Sequence, residues 1–123
     1  AIYDVMQAVT ANIRTVCVGT AASMAAVLFA SGDRREILRH GEVMIHDPLV
    51  SGGISGSALT VQDKSNRLMD KRKLLCGILA EHTGKSLKQI YKVTGKDTYF
   101  GAEEAVEFGL ADSIVEKMER RSA

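Results

Sequence analysis

Three residues, in chain order, have the types that acyl transfer needs: a serine in a run of small residues, a histidine at the end of an apolar run, and an aspartate in a turn. A hydroxyl is a weak nucleophile at neutral pH. It needs a base to take its proton, and the base needs a further group to orient it. The serine is Ser23, in Gly19-Thr20-Ala21-Ala22-Ser23-Met24-Ala25. Its small neighbours let a substrate backbone approach the hydroxyl. Free N–H groups at a helix start favour negative charge developing there. The surroundings are like those of a nucleophile elbow, although the Gly-x-Ser-x-Gly pattern is absent. A serine capping an Ala-rich core helix is the competing reading.

The histidine is His46, in Glu42-Val43-Met44-Ile45-His46-Asp47-Pro48, at the end of a predicted strand. His40 lies in a polar turn, and His82 lies near a helix C-terminus, where a cation is favoured for other reasons. The aspartate is Asp97, in Gly95-Lys96-Asp97-Thr98-Tyr99-Phe100. On residue type alone, Asp47 or Asp112 could serve as well.

The elements that must position these residues follow from periodicity. Ile2, Val5, Met6, Val9 and Ile13 recur at three- and four-residue steps and predict a helix over 1–13. Residues 15–19 are β-branched and Gly-terminated, a buried strand. Residues 20–30 are Ala-rich and end at Ser31-Gly32, a buried helix. Residues 36–38 and 42–45 predict two further strands, and 47–57 a Gly- and Ser-rich loop or irregular edge strand. Residues 58–81 predict a helix about 36 Å long at 1.5 Å per residue, long enough to project and pack on another chain. Ser86 to Gln89 fits a capping box that opens a helix to residue 93. Residues 95–100 read as a connector, 102–108 as a short helix and 113–115 as a terminal strand. The alternation predicts an α/β fold with parallel strands, in a single domain over 1–123.

Composition bounds the function. The chain has 123 residues, is 46% hydrophobic and 25% charged, and has a net charge of +1. That balance gives no electrostatic case for nucleic acid or an anionic membrane surface. No apolar run reaches the roughly 18 residues of a spanning helix. Cys17 and Cys76 both sit in apolar runs and read as reduced core thiols, an intracellular usage. No Cys or His pair has metal-ligand spacing. The chain opens Ala-Ile-Tyr-Asp inside a helical pattern, so an N-terminal portion is expected to be absent.

Singly these signals are weak. In order, Gly-x-x-Ala-Ser-Met, Val-Met-Ile-His-x-Pro-Leu, a Gly-rich stretch, a long charged helix and Asp-x-Tyr-Phe-x-Ala-x-Glu-Ala-x-x-x-Gly-Leu-x-Asp resemble the proteolytic subunit of Clp proteases, over its C-terminal two-thirds. The resemblance implies the Clp–crotonase kind of α/β fold, with stacked βαβ units and a projecting helix. It implies a serine endopeptidase with Ser23 as nucleophile, His46 as general base, Asp97 as orienting acid and the Met24 backbone N–H in the oxyanion hole. Leu49, Val50, Ser51, Gly52 and Gly53 match part of the segment that pairs with substrate backbone. No cofactor or metal is implied.

The implied partners are other Clp-type subunits in two stacked heptameric rings, with residues 58–81 at the ring contact. An AAA+ unfoldase such as ClpX, ClpA or ClpC would feed unfolded polypeptide to them. The implied location is cytoplasm, mitochondrial matrix or plastid stroma. Departures from the family pattern are Asp47 where Gln is usual, Ala25-Ala26 for Gly-Ala, and a shorter loop between Ser23 and His46. The family's Gly-Gly turn, which gives the other oxyanion donor, lies in the portion expected to be absent. The Ser23–His46 and His46–Asp97 distances are therefore expected to be long. The rival readings are a non-catalytic subunit of a mixed ring and a crotonase-like acyl-CoA enzyme.

Overall fold

The structure, a computed structural model, describes residues 2–48 and 55–117. The elements run α1 (Ile2–Ala8), β1 (Arg14–Cys17), β2 (Thr20–Ala22), α2 (Met24–Ala30), β3 (Arg34–Leu38), β4 (Glu42–Ile45), α3 (Ala58–Thr83), α4 (Leu87–Thr94), β5 (Thr98–Gly101), α5 (Ala102–Phe108) and β6 (Ser113–Val115). The predicted α/β class holds.

The strands form two three-stranded sheets, ordered β1-β3-β6 and β2-β4-β5. The first is parallel, with Cys17 opposite Ile37 and Ile37 opposite Ile114. In the second, β2 and β4 are parallel, with Ala22 opposite Met44, and β4 and β5 are antiparallel, with Ile45 opposite Thr98. Only Val18-Gly19 separates β1 from β2, and only Arg39-His40-Gly41 separates β3 from β4. Each stretch therefore leaves one sheet and enters the next almost directly. Gly41 stands where the two crossings meet, and a Cβ there would lie 3.2 Å from the backbone oxygens of Cys17 and Leu38. A side chain there would press on the backbone of both stretches, so the close approach favours glycine.

Helix α2 buries Ala26, Val27, Phe29 and Ala30. It packs against β1, β2, β4 and α3. Its alanines let the helix sit close to the sheets, around a core that includes Ile37, Val43, Ile45, Ile90 and Leu110.

Helix α3 has 26 residues. Ser57 accepts from the Thr60 N–H at its start, and Gly84, at φ 75°, ends it. Its buried residues, Cys76 and Leu79, lie in its C-terminal third, while Leu59 and Met69 are exposed. The predicted capping box of α4 is present between Ser86 and Gln89. Among the described residues no helix is long and apolar enough to cross a membrane.

Three local expectations are corrected. The helix predicted over 1–13 ends at Ala8. Its Ile2, Val5 and Val9 are exposed, so little packing supports it beyond its own propensity. Residues 20–22 are strand rather than helix, because they pair with β4, and pairing outweighs the helix preference of alanine. The connector predicted over 95–100 contains most of β5, again through pairing with β4.

Arg35, on β3, ties the elements together. Its side chain is only 11% exposed. Nη1 donates to the carbonyls of Ala30 at 3.2 Å, His82 at 2.9 Å and Gly109 at 2.7 Å. These lie at the C-terminal ends of α2, α3 and α5, where unpaired carbonyls and the helix dipole favour a cation. Asp112 completes the node, accepting from Nη2 at 2.7 Å and from the Arg35 N–H at 2.8 Å. The side-chain hydrogen bond from Arg35 is the main force holding the Asp112 carboxyl below its ordinary range, against partial desolvation.

Two predictions follow from this packing. Gly109 has φ 96°, and a Cβ there would lie 2.4 Å from the Thr83 carbonyl oxygen. Gly109→Ala should destabilise by more than about 1 kcal/mol, measured by urea unfolding, since the left-handed conformation alone costs that much. An unchanged midpoint would contradict this packing. Because folding lowers the Asp112 pKa, its stabilising contribution is complete above the unfolded value near 4 and fades as pH falls through the folded one. The melting temperature of Asp112→Asn should therefore fall less steeply with acidification than that of the parent. Parallel curves would remove Asp112 from the linkage.

Candidate active site

Ser23 lies between the end of β2 and the start of α2. Its N–H donates to the Met44 carbonyl at 3.1 Å, extending the pairing with β4. Its own carbonyl accepts from Ala26 at 3.1 Å and Val27 at 3.3 Å, which starts the helix. Meeting both constraints puts the residue at φ 57° and ψ −122°, the only positive-φ non-glycine among the described residues. A conformation this uncommon persists only where its surroundings enforce it, and such positions cluster at functional sites. The serine makes no side-chain cap bond to α2. Its hydroxyl points elsewhere.

It points at His46. Ser23 Oγ and His46 Nε2 are 2.5 Å apart. The expected long separation is thus overturned, for a simple reason. β2 and β4 are adjacent parallel strands, so Ser23 and His46 leave neighbouring strand ends and need no other segment to bring them together. His46 Nδ1 lies 2.5 Å from the Asp47 carbonyl oxygen. A carbonyl can only accept, so the proton is on Nδ1 and Nε2 is free to accept from the serine. This is the tautomer a general base requires. The arrangement can move a proton from Ser23 Oγ to His46 Nε2.

The three candidate carboxylates are distinguished by their partners. Asp112 is held by Arg35. The Asp47 carboxylate pairs with Arg72 on α3 at 3.0 Å. Asp97 is exposed and immediately precedes β5, whose pairing with β4 ends at Ile45–Thr98. No hydrogen bond joins Asp97 to His46 among the described residues. The Nδ1 proton goes to a main-chain carbonyl instead.

Met24 is the first residue of α2, so its N–H precedes the first intrahelical bonds. Leu49, Val50, Ser51, Gly52 and Gly53 lie outside the described residues. Beside Ser23 and His46 opens a cleft of about 490 Å³, lined by Met24, Val27, Ile45, Leu74, Leu75, Cys76, Leu79 and Thr94, with Pro48 and Lys71. It is mainly apolar, as pockets that bind side chains tend to be. Cys76 is a buried free thiol, as is Cys17. Burial pushes the Cys76 thiol pKa up, which keeps it protonated and inert.

Sequence reasoning assigned α3 to assembly and missed its share of the cleft wall. The i, i+4 pair Leu75 and Leu79 was the available signal. It also missed Arg72, which no motif marks. Among the described residues no group of three or more His, Cys, Asp and Glu side chains is placed to hold a metal ion.

A strained serine bonded to a histidine across two parallel strands, over an apolar cleft, defines an α/β protein with a serine-hydrolase-type dyad. The Clp protease family model matches residues 1–118, and the chain belongs to that family. At family level this means a serine peptidase whose relatives assemble into rings and work with unfoldases.

Because Nδ1 already has an acceptor, Asp97→Asn should slow fluorophosphonate labelling less than His46→Gln does. An equal loss would mean that Asp97 replaces the Asp47 carbonyl during the reaction.

Proposed function

We infer that this chain is the proteolytic subunit of an ATP-dependent Clp protease, an endopeptidase acting on unfolded polypeptide with Ser23 as nucleophile. The observation that carries this reading is the 2.5 Å Ser23–His46 hydrogen bond in the tautomer suited to a base. Ser23 Oγ attacks the scissile carbonyl carbon as its proton passes to His46 Nε2. The oxyanion is received by backbone N–H groups that include that of Met24. The resulting imidazolium gives its proton to the leaving amine, and an acyl-enzyme remains. Water, deprotonated by His46, then attacks the ester carbonyl, and the proton returns to Ser23 as the acid product leaves.

Asp97, which immediately precedes β5 on the strand next to β4, is the carboxylate that stabilises the imidazolium. The apolar cleft takes a substrate side chain, and residues 49–53 pair with substrate backbone as an added strand. The exposed N-terminal part of α3, with Leu59 and Met69, meets other subunits in stacked rings, to which a separate AAA+ ring delivers substrate. No cofactor takes part in the peptidase step.

The test is hydrolysis of a fluorogenic peptide and of a denatured protein, by the chain alone and with its partner subunits. Cleavage should fall at least a hundredfold in Ser23→Ala, the order expected for loss of a nucleophile. Turnover unaffected by Ser23→Ala would contradict the reading. Assembly into rings without Ser23-dependent cleavage under either condition would favour a non-catalytic subunit.

A further inference from the structure

Every polar group that Asp47 offers is in use, apart from one carboxylate oxygen. Its N–H donates to the Thr94 carbonyl, at the end of α4, at 2.9 Å. Its own carbonyl accepts from His46 Nδ1 at 2.5 Å. Its Oδ2 is 3.0 Å from Arg72 Nε on α3. The remaining Oδ1 is buried without a hydrogen-bond partner among the described residues, so Arg72 is the counter-charge on which the carboxylate relies. Arg72 is itself held. Its guanidinium lies 4.0 Å from the centroid of the Tyr91 ring on α4, and its side chain is only 22% exposed. A cation stacked on an aromatic face and paired with a carboxylate has little freedom left.

The consequence falls on the histidine. A main-chain carbonyl orients an imidazole only if its peptide plane is fixed. Asp47 follows the last paired strand residue by two positions and precedes Pro48, so the sheet does not fix it. The Thr94 bond fixes one side of the residue and Arg72 the other.

We propose that Arg72, stacked on Tyr91 and paired with Asp47, is a positioning residue for the Ser23–His46 pair: it locks the carbonyl that holds His46 in the tautomer able to accept from serine. The proposal rests on the peptidase reading of the same site and adds to it a support reaching the dyad from α3 and α4. Asp47, a departure from the family's usual residue, becomes the hub of that support.

The experiment uses the full chain with the partner subunits that give it peptidase activity. It compares peptide hydrolysis, fluorophosphonate labelling rate and thermal unfolding for Arg72→Met, Arg72→Lys, Asp47→Asn and the double variant Arg72→Met/Asp47→Asn. Met keeps much of the aliphatic length over Tyr91 and removes the charge. Arg72→Met and Asp47→Asn should each lower kcat and the labelling rate about tenfold with KM nearly unchanged, since the cleft wall is intact. The double variant should lose little more than either single one, because both break one device. Arg72→Lys, which can still pair with Asp47, should recover most of the rate.

A fall in KM-dependent binding alone, multiplicative losses in the double variant, or single variants matching the parent would overturn the proposal. If Arg72→Met does not fold, Asp47→Asn alone decides by the same criterion. Absence of Ser23-dependent label on the parent would remove the peptidase reading, and the proposal with it. A labelled parent with indifferent variants would remove only the proposal.

Discussion

The Arg35 guanidinium is the interaction on which the rest of the arrangement depends. It lies where α2, α3 and α5 all present their C-terminal carbonyls. Three helix ends meeting on one side would leave unpaired acceptors and like-oriented dipole ends facing one another. A single largely buried cation satisfies them together, and Asp112 balances it from the turn before β6. Because Arg35 belongs to β3, the first sheet is tied to the helix that Ser23 precedes and to the helix that walls the cleft.

Within that frame the reactive pair needs very little. Two parallel strands end side by side, and the residues that follow them are a serine and, one step later, a histidine. The serine must close a strand ladder with its N–H and open a helix with its carbonyl, which drives it to φ 57° and turns its hydroxyl outward. The small residues Ala21 and Ala22 before it and Ala25 and Ala26 after it leave the hydroxyl accessible. The strain is maintained by backbone pairing, so it survives without help from side chains. The histidine is different. Its strand ends before it does, and its orientation comes from a carbonyl whose own position must be secured by residues on other elements.

What could be read in the sequence divides along the same line. Ser23 and His46 stood out as candidates because local context and order mark them: small residues around the serine, and an apolar strand ending in histidine. The helix ends at Gly84 and Gly109 and the capping box at Ser86 were legible for similar reasons, each being written in a few adjacent residues. β2 and β5 were not, because Thr20-Ala21-Ala22 and Thr98-Tyr99-Phe100 owe their strand conformation to β4 as a shared neighbour. Arg35 was not, because its carboxylate partner lies 77 residues away. Nor was the orienting group for the imidazole, since a search for a carboxylate cannot find a main-chain oxygen. The family pattern pointed to Asp97, which precedes β5 and makes no hydrogen bond to His46 among the described residues.

Membership of the Clp protease family and the geometry of the pair support one proposed chemistry, in which His46 activates Ser23 as a nucleophile. The most direct measurement is mass-spectrometric localisation of the covalent adduct formed with a β-lactone probe. The adduct should map to Ser23 alone and disappear in His46→Gln. An adduct spread over other hydroxyls, or one on Ser23 that forms as fast without His46, would contradict the account.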